Sequence, residues 1–355
     1  MIFNYQYYII ICINLKVGAK MDGLMIPDGY VSKLSLKETQ RAIKLTKDTF
    51  QGNLGKALNL DRVTAPVIVR SGCGINDDLN GVERKVSFDM KSIGGNAEVV
   101  QSLAKWKRMA LKRYHYQPGE GIYTDMSAIR RDDSCDNTHS IYVDQWDWER
   151  VINASNRTED FLKGIVRLII NALADTKEKV NLVYPQLTYT MERDVFFITS
   201  QELLDMYPDM TDKERENAIV KEKKTVFLMK IGGKLSNGKP HDGRAPDYDD
   251  WELNGDILVW DQVLGQALEL SSMGIRVDSD SLKAQLAAAN AEDRLQYAYH
   301  QGIIDGTLPL TIGGGIGQSR MCMFMLEKAH IGEVQVSVWP DEVLDACDAA
   351  GIKLL

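Results

Sequence analysis

The run Gly313-Gly314-Gly315-Ile316-Gly317-Gln318-Ser319-Arg320 has the composition of a polyphosphate grip. Bare backbone at Gly315 and Gly317 lets an anion come close. A helix starting just after them favours negative charge, and Arg320 adds a planar fork of donors. Met321 to Leu326 is apolar, so the glycines are expected to form a turn that opens onto a helix. The Lys-Ser/Thr ending of a P-loop is absent, and no βαβ unit surrounds the run. Taken alone, the same residues suit a structural turn followed by a helix salt bridge.

Other segments carry chemistry of their own. Residues 140–149 are rich in β-branched and aromatic side chains and read as a strand. Alternation places Val143, Gln145 and Asp147 on one face and Tyr142, Trp146 and Trp148 on the other. A carboxylate beside an amide suits a zwitterionic amino acid, because Asp147 can pair with an ammonium while Gln145 both donates and accepts. The polar outer face of an edge strand has the same pattern. Arg130 and Arg131 end the preceding strand, where an arginine can hold a phosphate bidentately or join a surface salt bridge. Asp242, Asp247, Asp249 and Asp250 crowd one loop, and such charges repel unless they meet a cation, an ammonium group or Arg244. Glu269, Ser271 and Ser272, with Asp256, offer oxygen ligands to Mg²⁺, which takes one or two carboxylates plus substrate phosphates. The five histidines show neither a Ser/His/Asp order nor a His-x-x-His pair, which argues against triad chemistry and histidine metal sites.

These residues need a scaffold. Ser35-Leu36-Lys37-Glu38 is a capping box that opens a long amphipathic helix to about Asn59. A strand follows Pro66. Residues 102–114 read as a helix with Leu103, Trp106 and Ala110 inward and Lys105, Lys107, Arg108, Lys112 and Arg113 supplying charge. Strands are expected at 122–130, 226–229, 257–260 and 267–272, and helices at 161–174, after Thr211, and at 281–299. Strands outside any regular βα alternation favour an antiparallel or mixed sheet.

The bulk numbers bound the class. The chain has 355 residues, 44% hydrophobic and 26% charged, which is an ordinary globular composition. A net charge of -8 argues against gripping a long nucleic acid. Five widely spaced cysteines suggest neither a disulfide framework nor a zinc site, and favour a reducing cytoplasm. The apolar stretch 7–13 is too short to span a bilayer. Residues 1–24 are read as an atypical extension, disordered or not native, and 25–355 as one domain.

Across nearly all of 25–355 the chain resembles the ammonia-dependent asparagine synthetases, the aspartate–ammonia ligase family. The likeness rests on Ser102-Leu103-Ala104-Lys105-Trp106-Lys107-Arg108, Gly119-Glu120-Gly121-Ile122-Tyr123-Thr124 and the segments 139–150, 232–236, 244–251, 253–260, 269–278 and 313–320. That family is similar to the catalytic core of class II aminoacyl-tRNA synthetases. The resemblance implies an α/β (α+β) fold, a mainly antiparallel sheet flanked by helices, and a homodimer touching through the first long helix and the strand after Pro66. It implies ATP, Mg²⁺, L-aspartate and ammonia as ligands. By the same likeness Arg130 holds the α-phosphate. Arg320, Gly315, Gly317, Ser272, Glu269 and Asp256 hold the rest of the nucleotide, with Glu269 and Asp256 near the metal. Ser102, Lys107, Gln145, Asp147, Asp249 and Ser271 hold aspartate, and Asp77 orients or deprotonates ammonium. A tRNA-charging enzyme would carry an anticodon-binding barrel, for which no N-terminal segment is long enough. A non-catalytic relative would lack the two arginines. A glutamine-dependent amidotransferase would need a cysteine nucleophile.

Overall fold

A computed structural model describes residues 23–76, 79 and 83–355; the stretch 1–22 and Asp77 lie outside them. The first helix, α1 (Leu36–Leu58), starts at the expected capping box. The Glu38 carboxylate accepts the Ser35 backbone N–H at 2.9 Å, and the Ser35 hydroxyl accepts the Glu38 N–H at 3.3 Å. Asn59 ends it in a left-handed conformation, φ 56°. Ala42, Phe50, Leu54 and Leu58 form its buried stripe. Just before it, Leu24 is also buried among core side chains, so packed structure begins inside the stretch read as an extension.

The chain then runs through β1 (Leu60–Arg62), β2 (Ile68–Arg70), β3 (Ser87–Asp89), β4 (Asn96–Val99), α2 (Ala104–Arg113), β5 (Gly121–Ile129), β6 (Tyr142–Val151) and α3 (Glu159–Val183). It continues through β7 (Phe196–Thr199), α4 (Ser200–Met206), α5 (Asp212–Lys223), β8 (Thr225–Met229), β9 (Asp249–Asp261), β10 (Gln266–Arg276) and α6 (Ser279–Ala288). The last elements are α7 (Ala298–Ile304), β11 (Thr311–Gly317), α8 (Gln318–Met325) and α9 (Asp341–Ala349). An eight-stranded sheet has the order β1-β5-β6-β11-β10-β9-β8-β7. Its two outer pairs are parallel and the remaining pairs antiparallel. The expected mainly antiparallel architecture is therefore present. Strands β2, β4 and β3 make a separate small sheet.

One face of the large sheet packs under α1 and α3, where Phe50 meets Trp146 with ring centroids 4.8 Å apart. Trp148, Ile169, Leu173, Phe227 and Ile316 complete this layer. The other face carries Gln145 and Asp147, as the alternation of the strand requires.

Three expectations change. The glycine run is not a turn: Gly313, Gly314 and Gly315 lie in β11, hydrogen-bonded between β6 and β10. Glycine is needed there for room, since a Cβ on Gly313 would overlap the Glu149 carboxylate and the Trp148 carbonyl. Residues 281–299 are not one helix, because α6 gives way to a turn in which Asn290 takes φ 52°. Lys105, Lys107 and Arg108, set apart from the inward residues as a source of charge, are themselves buried against the sheet and its neighbours.

Gly313→Ala therefore tests the close approach at the middle of the sheet. Overpacking of this kind costs about 1–3 kcal/mol, so the melting temperature should fall by several degrees. An unchanged melting temperature would contradict the packing described.

Candidate active site

The polar face of the sheet opens into a cavity of about 620 Å³. Its floor is β6, β11 and β10, and its walls are the loop after β5, the 242–249 loop and the start of α8. Two charge clusters organise it.

The first lies in and under the floor. Asp147 and Asp249 line the cavity, as does Arg276. Lys107 reaches up from α2 and pairs with Asp147; its ammonium also donates to the carbonyls of Trp148 at 3.0 Å and Gly314 at 3.1 Å. Arg276 pairs with Glu149 through Nη2 at 2.8 Å and with Asp249 through Nη1. Thr311 donates to Glu149 at 2.7 Å. Burial works against the Glu149 carboxylate, but Arg276 and Lys107 outweigh it and hold its pKa below the ordinary value. Burial raises that of Asp249 against the opposing pull of Arg276. Other cations share the cluster: Arg244 also pulls on Asp249, and the buried Arg108 lies near Glu149.

The second cluster faces anions. Arg320 projects from α8, where its Nε donates to the Thr138 carbonyl at 3.1 Å and its Nη1 to the Glu269 carbonyl at 3.3 Å. The Glu269 carboxylate stands 3.8 Å from the same guanidinium. Arg244 pairs with Asp256 and, at 3.3 Å, with Asp242. Arg130 lines the same cavity, and its Nε is buried without a hydrogen-bond partner among the described residues. That is a donor left over for a ligand.

On the aspartate side, Ser102, Gln145, Asp147 and Asp249 from the sequence reading line this cavity. On the nucleotide side, Arg130, Arg320, Glu269, Ser272, Gly315 and Gly317 line it as well. Three others stand back from it. Lys107 lies beneath the floor and supports Asp147 from below. Ser271 is buried and takes no part in the lining, because a bulge between Glu269 and Ser271 shifts which side chains face the cavity. Asp256 is buried behind Arg244; burial and then Glu269 push its carboxyl up to about 7 against the pull of that arginine. Asp77 lies outside the described residues. Sequence reasoning passed over Arg276 and Glu149. Both follow from the period of two, Glu149 after Gln145 and Asp147, and Arg276 after Ser272 and Gly274.

Among the described residues no group of three or more His, Cys, Asp and Glu side chains could hold a metal. Glu269 opens on the cavity, and burial is outweighed there by Arg320, Arg244 and Lys213, which keep its carboxylate below the usual range. One such carboxylate fits Mg²⁺ arriving with phosphates and water. Asp256 is held by Arg244 through one oxygen, while its other oxygen is buried without a hydrogen-bond partner among the described residues.

Residues 37–351 match the family model described as aspartate-ammonia ligase. The chain belongs to the aspartate–ammonia ligase family. The aspartate–ammonia ligase of Clostridium tetani is 60% identical over 333 residues, covering 94% of this chain and 98% of that relative. That of Ruminiclostridium cellulolyticum is 58% identical over 336 residues, covering 94% and 100%. As a member of this family the chain is an enzyme that forms a carbon–nitrogen bond. The fold is that of class II aminoacyl-tRNA synthetases. Asparaginyl-tRNA synthetase from Pyrococcus horikoshii, solved with asparaginyl-adenylate, superposes with a TM-score of 0.62 at 15% identity, over 85% of this chain and 70% of that one. The Entamoeba histolytica asparaginyl-tRNA synthetase gives 0.59 at 16% identity, over 84% and 67%.

Lys107→Met removes the cation beneath Asp147. Breaking a buried pair on one side costs about 3–5 kcal/mol, so the urea midpoint should drop sharply. A lysine that merely touched substrate would leave that midpoint where it is.

Proposed function

We propose that this chain makes L-asparagine from L-aspartate and ammonia by way of β-aspartyl-AMP, with ATP as the activating substrate. A carboxylate is a poor electrophile, and ammonia cannot expel oxide from it. In the first step a β-carboxylate oxygen of aspartate attacks the α-phosphorus, and the bond to pyrophosphate breaks. In the second step ammonia attacks the acyl carbon, and AMP leaves with that carboxylate oxygen. Both steps depend on positioning and on neutralising charge.

The observation that carries this reading is the meeting of Arg130 and Arg320 in one cavity with the acidic pair Asp147 and Asp249. Arg130 holds the α-phosphate, and its unpartnered Nε supports that role. Arg320 and Arg244 hold the rest of the nucleotide beside Gly315, Gly317 and Ser272. Mg²⁺ bound at Glu269 would neutralise phosphate charge. Asp147 and Asp249 take the substrate ammonium, while Gln145, Ser102 and Arg276 offer donors to its carboxylates. Asp77 orients the incoming ammonium ion or takes its proton.

The reading extends to a cytoplasmic homodimer with contact through α1 and β2. Free thiols at Cys73, Cys135, Cys322 and Cys347 support a reducing compartment. No described helix is long and apolar enough to cross a membrane.

Arg130→Ala should cut the aspartate-dependent exchange of labelled pyrophosphate into ATP by about 10²–10³-fold. Exchange at the parental rate would remove Arg130 from the activation step.

A further inference from the structure

A carboxylate sits where the proposed function least wants one. Asp144 is buried on the Trp146 face of β6, towards α1, and borders the cavity of Arg130 and Arg320 where that cavity reaches Ser319 at the start of α8. Bare negative charge there would repel a polyphosphate. Its two oxygens are both engaged. One accepts the backbone N–H of Ser319 at 3.0 Å, in the first turn of α8 and next to Arg320. The other pairs at 3.1 Å with the ammonium of Lys47, which comes from α1 and does not itself line the cavity.

The start of α8 is fixed at further points. The Ser319 hydroxyl accepts from Gln335 Nε2 at 3.0 Å, and Gln318 donates to Asp125 at 2.9 Å. Burial alone would lower the Lys47 pKa, but Asp144, Cys322 and Tyr142 raise it overall, so Lys47 stays charged.

We propose that Lys47 and Asp144 form a positioning pair for Arg320. Asp144 anchors the first turn of α8, and Lys47 cancels the charge of that carboxylate so that nucleotide phosphates can lie beside it. The inference rests on the reading that Arg320 holds the nucleotide.

The test measures KM for ATP and for aspartate, and melting temperature, in Lys47→Met, Asp144→Asn, the double variant and Arg320→Ala. Lys47→Met leaves an uncompensated carboxylate at the border of the cavity, against the first turn of α8. Its KM for ATP should rise about five- to tenfold, with little change in KM for aspartate. Asp144→Asn should be milder, because the amide oxygen still accepts the Ser319 N–H. The double variant should fall back to the Asp144→Asn value, since no charge is left to cancel. A structural role alone would give no such rescue. Additive losses in the double variant would overturn the inference, as would a Lys47→Met variant whose two KM values rise together with a lowered melting temperature. If Arg320→Ala raises KM for ATP and Lys47→Met does not, the positioning pair is refuted while the nucleotide reading stands. If Arg320→Ala leaves KM for ATP unchanged, the nucleotide reading falls and the inference falls with it.

Discussion

Three carboxylates and two cations share a nearly dry space at and beneath the cavity floor, and the aspartate side of the site depends on that arrangement. Asp147, Glu149 and Asp249 come from two strands, and Lys107 and Arg276 pair with them directly. Removing buried charges from water is costly unless they are paired and hydrogen-bonded. The network meets that condition with carbonyls and Thr311 as well as with opposite charge. The result is a set of fixed acidic side chains held on strands rather than on loops.

The central strand makes this geometry possible by what it lacks. Glycines in β11 leave space for the Glu149 carboxylate and for Gln145 between neighbouring strands. The same bare strand then delivers α8, and with it Arg320, to the rim. The loop after β5 delivers Arg130 to the same cavity. A nucleotide grip and an amino-acid pocket thus become neighbours through a single stretch of sheet. That is the arrangement adenylation needs, because the reacting carboxylate and the α-phosphorus must be held side by side.

Much of this was legible in the residues. The capping box at Ser35, the alternation around Gln145 and Asp147 and the two arginines each carry local signals, and the structure bears out the elements they imply. The resemblance over 25–355 supplied the family, which the comparisons show. What local reading missed has physical causes. Glycines signal a turn when seen along the chain, but the crowding that requires glycine in β11 comes from β6 and β10, strands distant in sequence. Lys105 and Lys107 on α2 carry no local sign of burial; their partners, Asp247 in the 242–249 loop and Asp147 in β6, are distant in sequence. Ser271 and Ser272 differ by one position, and a bulge decides which of them meets the cavity. Asn290 breaks a helical pattern that its neighbours would continue.

The central claim is that the β-carboxylate of aspartate is activated by transfer of AMP. It is tested most directly by turning over aspartate labelled with ¹⁸O in that carboxylate, with ATP, Mg²⁺ and ammonium, and locating the label by mass spectrometry. One ¹⁸O atom should appear in the phosphate of AMP for each asparagine made. Label in inorganic phosphate with ADP as co-product would mean an acyl-phosphate route and would contradict the account.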